Sequence, residues 1–151
     1  MAQVRRMDWQ IEAKSTADKF FDTYKTKSHL MPKMSNQLVT DVKLLQGDWD
    51  SVGSVKLWHY TLQGKSVTMK ETIEKIDDTN RTIVYKVLGG DCMEFYNSWN
   101  SIINVTQMGD GCLVKCTMEF EKKNDDAPDL VMYDDFFTTL IKNVDSFLLK
   151  N

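Results

Sequence analysis

Residues 46–60 read QGDWDSVGSVKLWHY, in which two glycines and two aspartates lead into a strand rich in aromatic residues. Gly47, Gly53, Ser54 and Lys56 have the composition of a phosphate-binding loop. Two features argue against that interpretation, because no lysine directly follows Gly53 and the next segment is a strand instead of a helix N-terminus. The stretch therefore predicts a tight connection between strands, with positive φ angles at the glycines.

The segments on either side of this stretch predict an antiparallel sheet. Residues 112–121 alternate between apolar and polar side chains, which indicates one dry face and one mostly wet face. Residues 2–12 also have strand character and add a strand to the six expected after residue 37. Turn signals separate these later strands at residues 47–53, 63–64, 77–80, 89–91 and 109–111.

The sequence leaves the facing of the fourth predicted strand open. One register turns Met69, Glu71 and Ile73 inward, and the other turns Thr68, Lys70 and Thr72 inward. A charged group placed inside would have a shifted pKa, as a general acid or base requires. Pairing of these charges at the surface is the alternative.

The helical segments are few. Ser15 is predicted to cap a short helix, and Pro32 fits the first turn of a second one. Residues 127–150 have apolar side chains at three- and four-residue intervals, with Pro128 near the first turn of the predicted helix. A single helix about 35 Å long cannot cover a flat sheet of seven strands, so we expect the sheet to curve around it. Such a single α+β domain over residues 1–151 can enclose a hollow.

Composition and charge exclude several classes of function. The 19 basic and 22 acidic residues are mixed along the chain and give a net charge of -3, so no nucleic-acid partner is expected. No apolar stretch follows the two arginines at residues 5 and 6, so we expect a cytoplasmic protein without stable membrane insertion. Cys92, Cys112 and Cys116 lack metal-ligand spacing and are predicted to be buried free thiols, and no metal or cofactor is expected.

Three segments resemble the plant major latex protein family, a branch of the birch-pollen-allergen and class-10 pathogenesis-related superfamily. They are SHLMPKMS at 28–35, LLQGDWDSVGSVKLWHYTLQGK at 44–65 and KETIEKIDD at 70–78, and the resemblance extends over essentially the whole chain. It implies the helix-grip fold, in which a seven-stranded antiparallel sheet curves around a long C-terminal helix and two short helices form a V at one end. It also implies that Gly47 and Gly53 belong to the glycine-rich loop of the family.

The same resemblance implies an internal cavity that binds hydrophobic or amphipathic small molecules. The oligomeric state, a monomer or a weak dimer, is left open. Carried over position by position, the wall of this ligand-binding cavity comprises Tyr24, Leu30, Trp58, Tyr60, Tyr85, Val87, Trp99, Ile103, Val114, Cys116, Met118, Tyr133, Phe136, Phe137 and Leu140.

Two functions follow as hypotheses. The first is binding of a plant metabolite of the terpenoid, steroid, alkaloid or lysolipid class. The second is a cofactor-free cyclase or isomerase of specialised metabolism that holds a reactive intermediate, assisted by Tyr60, His59, Tyr85 or Lys70. Ribonuclease activity, attributed to pathogenesis-related relatives and here assigned to Lys56, is disfavoured because the chain lacks a basic groove. His29 and His59 have no local catalytic context and are predicted to be structural or solvated.

Overall fold

The computed structural model describes residues 4–150. These residues contain seven strands in one antiparallel sheet, whose spatial order is β1-β7-β6-β5-β4-β3-β2. The strands are β1 (Val4–Ala13), β2 (Val39–Gln46), β3 (Val55–Leu62), β4 (Lys65–Asp77), β5 (Thr82–Gly89), β6 (Tyr96–Met108) and β7 (Gly111–Lys122). The predicted meander and the strand that precedes it are confirmed.

Helices occupy the two regions that the sequence predicts, between the first two strands and after the last strand. Helix α1 (Ala17–Thr26), a 3-10 turn (Ser28–Leu30) and helix α2 (Met31–Met34) join β1 to β2. Helix α3 (Tyr133–Lys150) follows the sheet and packs against it. The architecture is the helix-grip fold, with a curved sheet around a long C-terminal helix.

Irregular pairing contributes to the curvature of the sheet. Register shifts interrupt the β2–β3 pair between Leu44 and Gln46, the β4–β5 pair between Ile73 and Lys75, and the β6–β7 pair after Tyr96. A β-bulge bends the strand that carries it and increases the local twist. These positions lie in both halves of the sheet, which allows the sheet to wrap around one helix.

The start of α1 differs from the prediction by one residue. Thr16 caps the helix, because its side chain accepts a hydrogen bond from the backbone N–H of Lys19. Ser15, the predicted cap, instead donates from its hydroxyl to Asp145 on α3 at 2.6 Å. The backbone N–H groups of Lys14 and Ser15 also donate to Asp145, so this segment is held to the long helix.

The long helix begins later than predicted. Pro128 was expected near its first turn, but α3 begins at Tyr133 after a 3-10 turn. The carbonyl of Pro128 accepts a hydrogen bond from the hydroxyl of Tyr96 at 2.6 Å, and Lys122 lies 2.7 Å from the carboxylate of Asp129. These contacts hold the approach to α3 against β6 and β7, which delays the start of the helix.

Buried side chains lie between α3 and the concave face of the sheet. The helix contributes Tyr133, Phe136, Leu140, Ile141, Val144 and Leu148 to this layer. The cysteines at 92, 112 and 116 are free and buried, as predicted. Burial raises their pKa values above the ordinary range, so the thiols stay protonated near neutral pH.

We predict that Gly90→Ala lowers the free energy of unfolding by about 3 kcal/mol. Gly90 has φ 101° and ψ 175°, a conformation that L side chains rarely adopt. An added Cβ would also lie 2.5 Å from the carbonyl oxygen of Thr68. Urea unfolding of both proteins measures the difference.

Gly53→Ala is the matched control for this prediction. Gly53 also has a positive φ of 88°, but an added Cβ meets nothing within 4 Å. Only the backbone conformation is strained, so we expect a loss of about 1–2 kcal/mol. Equal losses in the two variants would contradict the close approach at Thr68.

Candidate ligand-binding cavity

A cavity lies between the concave face of the sheet, α1 and α3. The volume that the centre of a water-sized sphere can occupy is about 100 Å³, and most of the lining side chains are apolar. The cavity therefore provides an apolar environment with a few polar groups at defined positions, as small-molecule sites generally do.

Many residues predicted for the cavity wall come together in the lining. They are Tyr24, Trp58, Tyr60, Tyr85, Ile103, Cys116, Met118, Tyr133, Phe136, Phe137 and Leu140. The other predicted residues lie outside it: Val87, Trp99 and Val114 are buried in the core, and Leu30 is partly buried against the core. The alternation of a strand identifies its inward face, but not the height along the strand at which the hollow lies.

Some lining residues were not predicted. Ser28 and Met31 follow the predicted Tyr24 at the spacing of one helical face, and this spacing could have identified them from the sequence. Met69 and Glu71 belong to one of the two registers left open for the fourth strand. The remaining unpredicted members are Val39, Ser101, Ile102 and Thr117.

The structure fixes the facing of β4. Glu71 is 9% exposed and lines the cavity, whereas Lys70 is exposed. Glu71 pairs with Lys56 in the β3–β4 register, and the indole Nε1 of Trp58 donates to its Oε1 at 2.7 Å. One carboxyl group is therefore held in the wall of an apolar cavity.

Burial changes the acidity of this carboxyl group. Loss of hydration raises the pKa of Glu71 to about 7, from an ordinary value of 4.5. The hydrogen bond from Trp58 and the positive charge of Lys56 act in the opposite direction, because both favour the carboxylate. Glu71 can consequently exchange a proton near neutral pH.

Lys56 connects this group to the glycine-rich loop. It is 2% exposed, and burial lowers its pKa while the charges of Glu71 and Asp50 oppose that shift. Its Nζ lies 5.7 Å from the centroid of the Trp49 ring, and that ring lies 5.5 Å from the ring of His29. The loop is thus packed against the 3-10 turn after α1 on one side and against a buried cation on the other.

The loop has the backbone geometry that its sequence predicts. Gly47 and Gly53 have φ angles of 75° and 88°, and the N–H of Gly53 donates to the carbonyl of Ile73 at 2.8 Å. The loop therefore continues the pairing with β4 before β3 begins. This arrangement is a strand connection, in agreement with the interpretation that argues against a phosphate loop.

A pair of tyrosines forms a second polar feature in the lining. The hydroxyl oxygens of Tyr60 and Tyr133 lie 2.6 Å apart, and the ring of Phe136 lies 5.2 Å from that of Tyr60. Burial raises the pKa of both tyrosines above the ordinary value. The two phenols therefore remain neutral and bind each other.

The other polar side chains considered from the sequence lie elsewhere. Tyr85 lines the cavity, but His59 and Lys70 do not, and His29 is exposed. Within residues 4–150, no three His, Cys, Asp or Glu side chains come together in an arrangement that could hold a metal ion. None of the helices in the same residues combines the length and the apolar character needed to cross a membrane.

Residues 2–151 match the sequence profile of the Pathogenesis-related protein Bet v 1 family. The chain belongs to this family. Its relatives within the Bet v 1 family include MLP-like protein 328 of Arabidopsis thaliana, which is 33% identical over 142 residues that cover 93% of each chain. The resemblance to major latex proteins is confirmed.

Solved structures of the Bet v 1 fold agree with this assignment. Ginseng major latex-like protein 151 from Panax ginseng superposes with a TM-score of 0.93 at 27% identity, over 97% of this chain and 98% of that chain. Norcoclaurine synthase from Thalictrum flavum superposes with a TM-score of 0.82 at 15% identity, over 99% and 89%. The second likeness shows a shared fold alone.

We predict that Glu71→Gln changes how stability depends on pH. Folding raises the pKa of Glu71 to about 7 from an ordinary 4.5, so the folded protein holds a proton that the unfolded chain has lost. The stability contributed by the protonated group is present below pH 4.5 and is lost as pH rises to about 7. The variant cannot ionise, so its stability relative to the original protein should increase by about 3 kcal/mol across this window.

Urea unfolding at several pH values measures the difference in stability between the variant and the original protein. The other titrating groups contribute equally to both proteins and cancel in this difference. Glu74→Gln is the matched control, because Glu74 is exposed on the same strand. A difference between the original protein and Glu71→Gln that stays constant from acid to neutral pH would contradict the assignment.

Proposed function

We propose that the protein binds a compact, largely apolar small molecule in the cavity between the sheet and α3. The observation that carries this proposal is the apolar lining around a hollow of about 100 Å³. Binding of small hydrophobic molecules is also the activity for which the Bet v 1 family is known. Each 100 Å² of apolar surface that a ligand buries there contributes about 2.5 kcal/mol before the cost of association.

The size of the cavity favours a compact ligand within the classes expected from the sequence. A buried water requires roughly 10–15 Å³ on the same measure, so the hollow has room for several such volumes. A small ring system of the terpenoid or alkaloid class fits this space better than a steroid or a lysolipid. Larger ligands require α3 or the glycine-rich loop to move outward.

Phe136 marks a route by which a ligand can enter. It lines the cavity and also an open groove between the β2–β3 edge and the segment before α3. Leu38, Leu62 and Met132 also line this groove. Phe136, which is 8% exposed, is therefore shared by the groove and the cavity, and we infer that a ligand enters past its ring.

We predict that borneol, a compact bicyclic terpenoid, changes the tryptophan emission in a saturable way because Trp58 lines the cavity. Cys116→Phe adds a ring to the lining and should weaken this binding at least tenfold by occupying the space. Leu113→Phe is the matched control, because Leu113 lies on the same strand outside the cavity lining.

Trp58→Phe identifies the source of the emission change, and circular dichroism checks that each variant is folded. Emission unaffected by borneol, with no bound small molecule in native mass spectrometry of the purified protein, would contradict the proposal. Equal loss of affinity in Cys116→Phe and Leu113→Phe would show that borneol does not bind in the cavity lined by Cys116.

A second candidate function is that of a cofactor-free cyclase or isomerase. Glu71 favours it, because a carboxyl group with a pKa of about 7 in a water-poor cavity suits general acid or base chemistry. Tyr85 lines the same cavity. The fold also accommodates a synthase, since norcoclaurine synthase shares it.

This second function predicts a change in product stereochemistry relative to the spontaneous reaction of a terpenoid or alkaloid intermediate. Glu71→Gln should then lower the rate by about 10²-fold and remove an apparent pKa near 7 from the pH profile. Chiral chromatography of the products and initial rates between pH 5 and 9 measure both effects. A product distribution identical to the spontaneous one would exclude catalysis for that substrate.

Other expectations from the sequence stay predictions. They are a single domain over residues 1–151, a cytoplasmic location, the absence of a nucleic-acid partner and a role in specialised metabolism.

A further inference from the structure

Two buried hydroxyl groups in the cavity lining have no hydrogen-bond partner among the described residues. They are the Oη of Tyr24, a residue 7% exposed, and the Oγ of Ser28, a residue 3% exposed. The two residues are four positions apart, one on α1 and one at the start of the 3-10 turn that follows. A buried polar group without a hydrogen-bond partner is unfavourable.

A carboxyl group lines the same cavity as these hydroxyls. It belongs to Glu71: burial raises the pKa of Tyr24, and the charge of Glu71 raises it further. One carboxyl oxygen of Glu71 already accepts the hydrogen bond from Trp58. Tyr24, Ser28 and Glu71 therefore bring two hydroxyl groups without a partner and a carboxyl group into the lining of a largely apolar cavity.

The chemistry of these groups selects a ligand. A hydroxyl both donates and accepts a hydrogen bond, so a hydroxyl or carbonyl oxygen on the ligand can bind to both side chains. A hydrocarbon leaves them unpaired, and the ionised form of Glu71 repels a carboxylate. A neutral oxygen substituent satisfies the groups without adding a charge to a poorly hydrated site.

We propose that Tyr24, Ser28 and Glu71 form a subsite for a neutral hydroxyl or carbonyl oxygen on an otherwise apolar ligand. This inference rests on the proposed binding function and names the chemical class of its ligand. The subsite fixes which end of the ligand faces α1 and β4, because only that end can bind the two hydroxyl groups.

A matched series of compact probes tests the subsite. Indane, 1-indanol, 1-indanone and indane-1-carboxylate share one ring system and differ in the polar substituent. Isothermal titration calorimetry at pH 7 gives their affinities for the full chain and for the variants Tyr24→Phe and Ser28→Ala. We expect 1-indanol and 1-indanone to bind about tenfold more tightly than indane, and the carboxylate to bind more weakly than 1-indanol.

Each variant removes one hydroxyl and keeps the rest of the side chain. Tyr24→Phe and Ser28→Ala should each reduce the preference for 1-indanol over indane by about threefold to tenfold, while the affinity for indane stays unchanged. Tyr96→Phe and Ser35→Ala are the matched controls. Both remove a buried hydroxyl that lies outside the lining and has a partner in the protein.

Thermal unfolding of the ligand-free proteins separates a binding role from a structural one. Tyr24→Phe and Ser28→Ala should leave the melting temperature unchanged or raise it, because the hydroxyls that they remove are buried without a partner. Tyr96→Phe and Ser35→Ala should lower it, because they remove the hydrogen bonds to Pro128 and Asn143.

The outcomes distinguish the subsite from the binding function itself. Equal affinities for indane and 1-indanol, or a preference that persists in the double variant Tyr24→Phe/Ser28→Ala, would overturn the subsite while binding to the cavity stands. Binding of none of the four probes to the original protein would overturn both. Loss of the preference in either control variant would also overturn the assignment to these hydroxyls.

Discussion

The hold of the curved sheet on α3 determines where the cavity lies. Polar contacts fix the helix near both ends: Asp145 binds the backbone that joins β1 to α1, and Asp129 binds Lys122 of β7 just before the helix begins. Between these points the helix faces the sheet with aromatic residues, among them Tyr133 and Phe136. Because the helix is held near both ends, its aromatic side chains cannot fill all of the space beneath the curved sheet. The cavity is the space that they leave empty.

The pairing of β3 with β4 then sets the chemistry of that hollow. The register places Lys56 opposite Glu71 and Trp58 opposite Met69. A shift of one residue in β4 would turn Lys70 inward and Glu71 outward, and the cavity would gain a cation in place of a carboxyl group. The glycine-rich loop supports the observed register, because the N–H of Gly53 binds the carbonyl of Ile73 directly beyond it.

The fold and many residues of the cavity lining can be predicted from the sequence, but the inward facing of Glu71 cannot. Alternation and turn signals predict the strands, and helical spacing predicts α3, because each pattern reflects which side chains lose contact with water. The facing of Glu71 depends on a register between distant residues, and no local pattern distinguishes it from Lys70. The cap at Thr16 and the late start of α3 likewise depend on partners far along the chain, such as Asp145 and Tyr96.

The distribution of unfavourable groups is itself an argument for a site. Glu71, Lys56 and the hydroxyls of Tyr24 and Ser28 are all buried, and apolar side chains of similar volume would often be as stable or more stable at such positions. Glu71, Tyr24 and Ser28 all line one cavity, whereas other buried polar atoms without a partner, such as the Nε1 of Trp99, lie outside it. A fold that requires only packing gains nothing from such groups in the wall of a hollow, whereas a site that orients a ligand requires polar groups there.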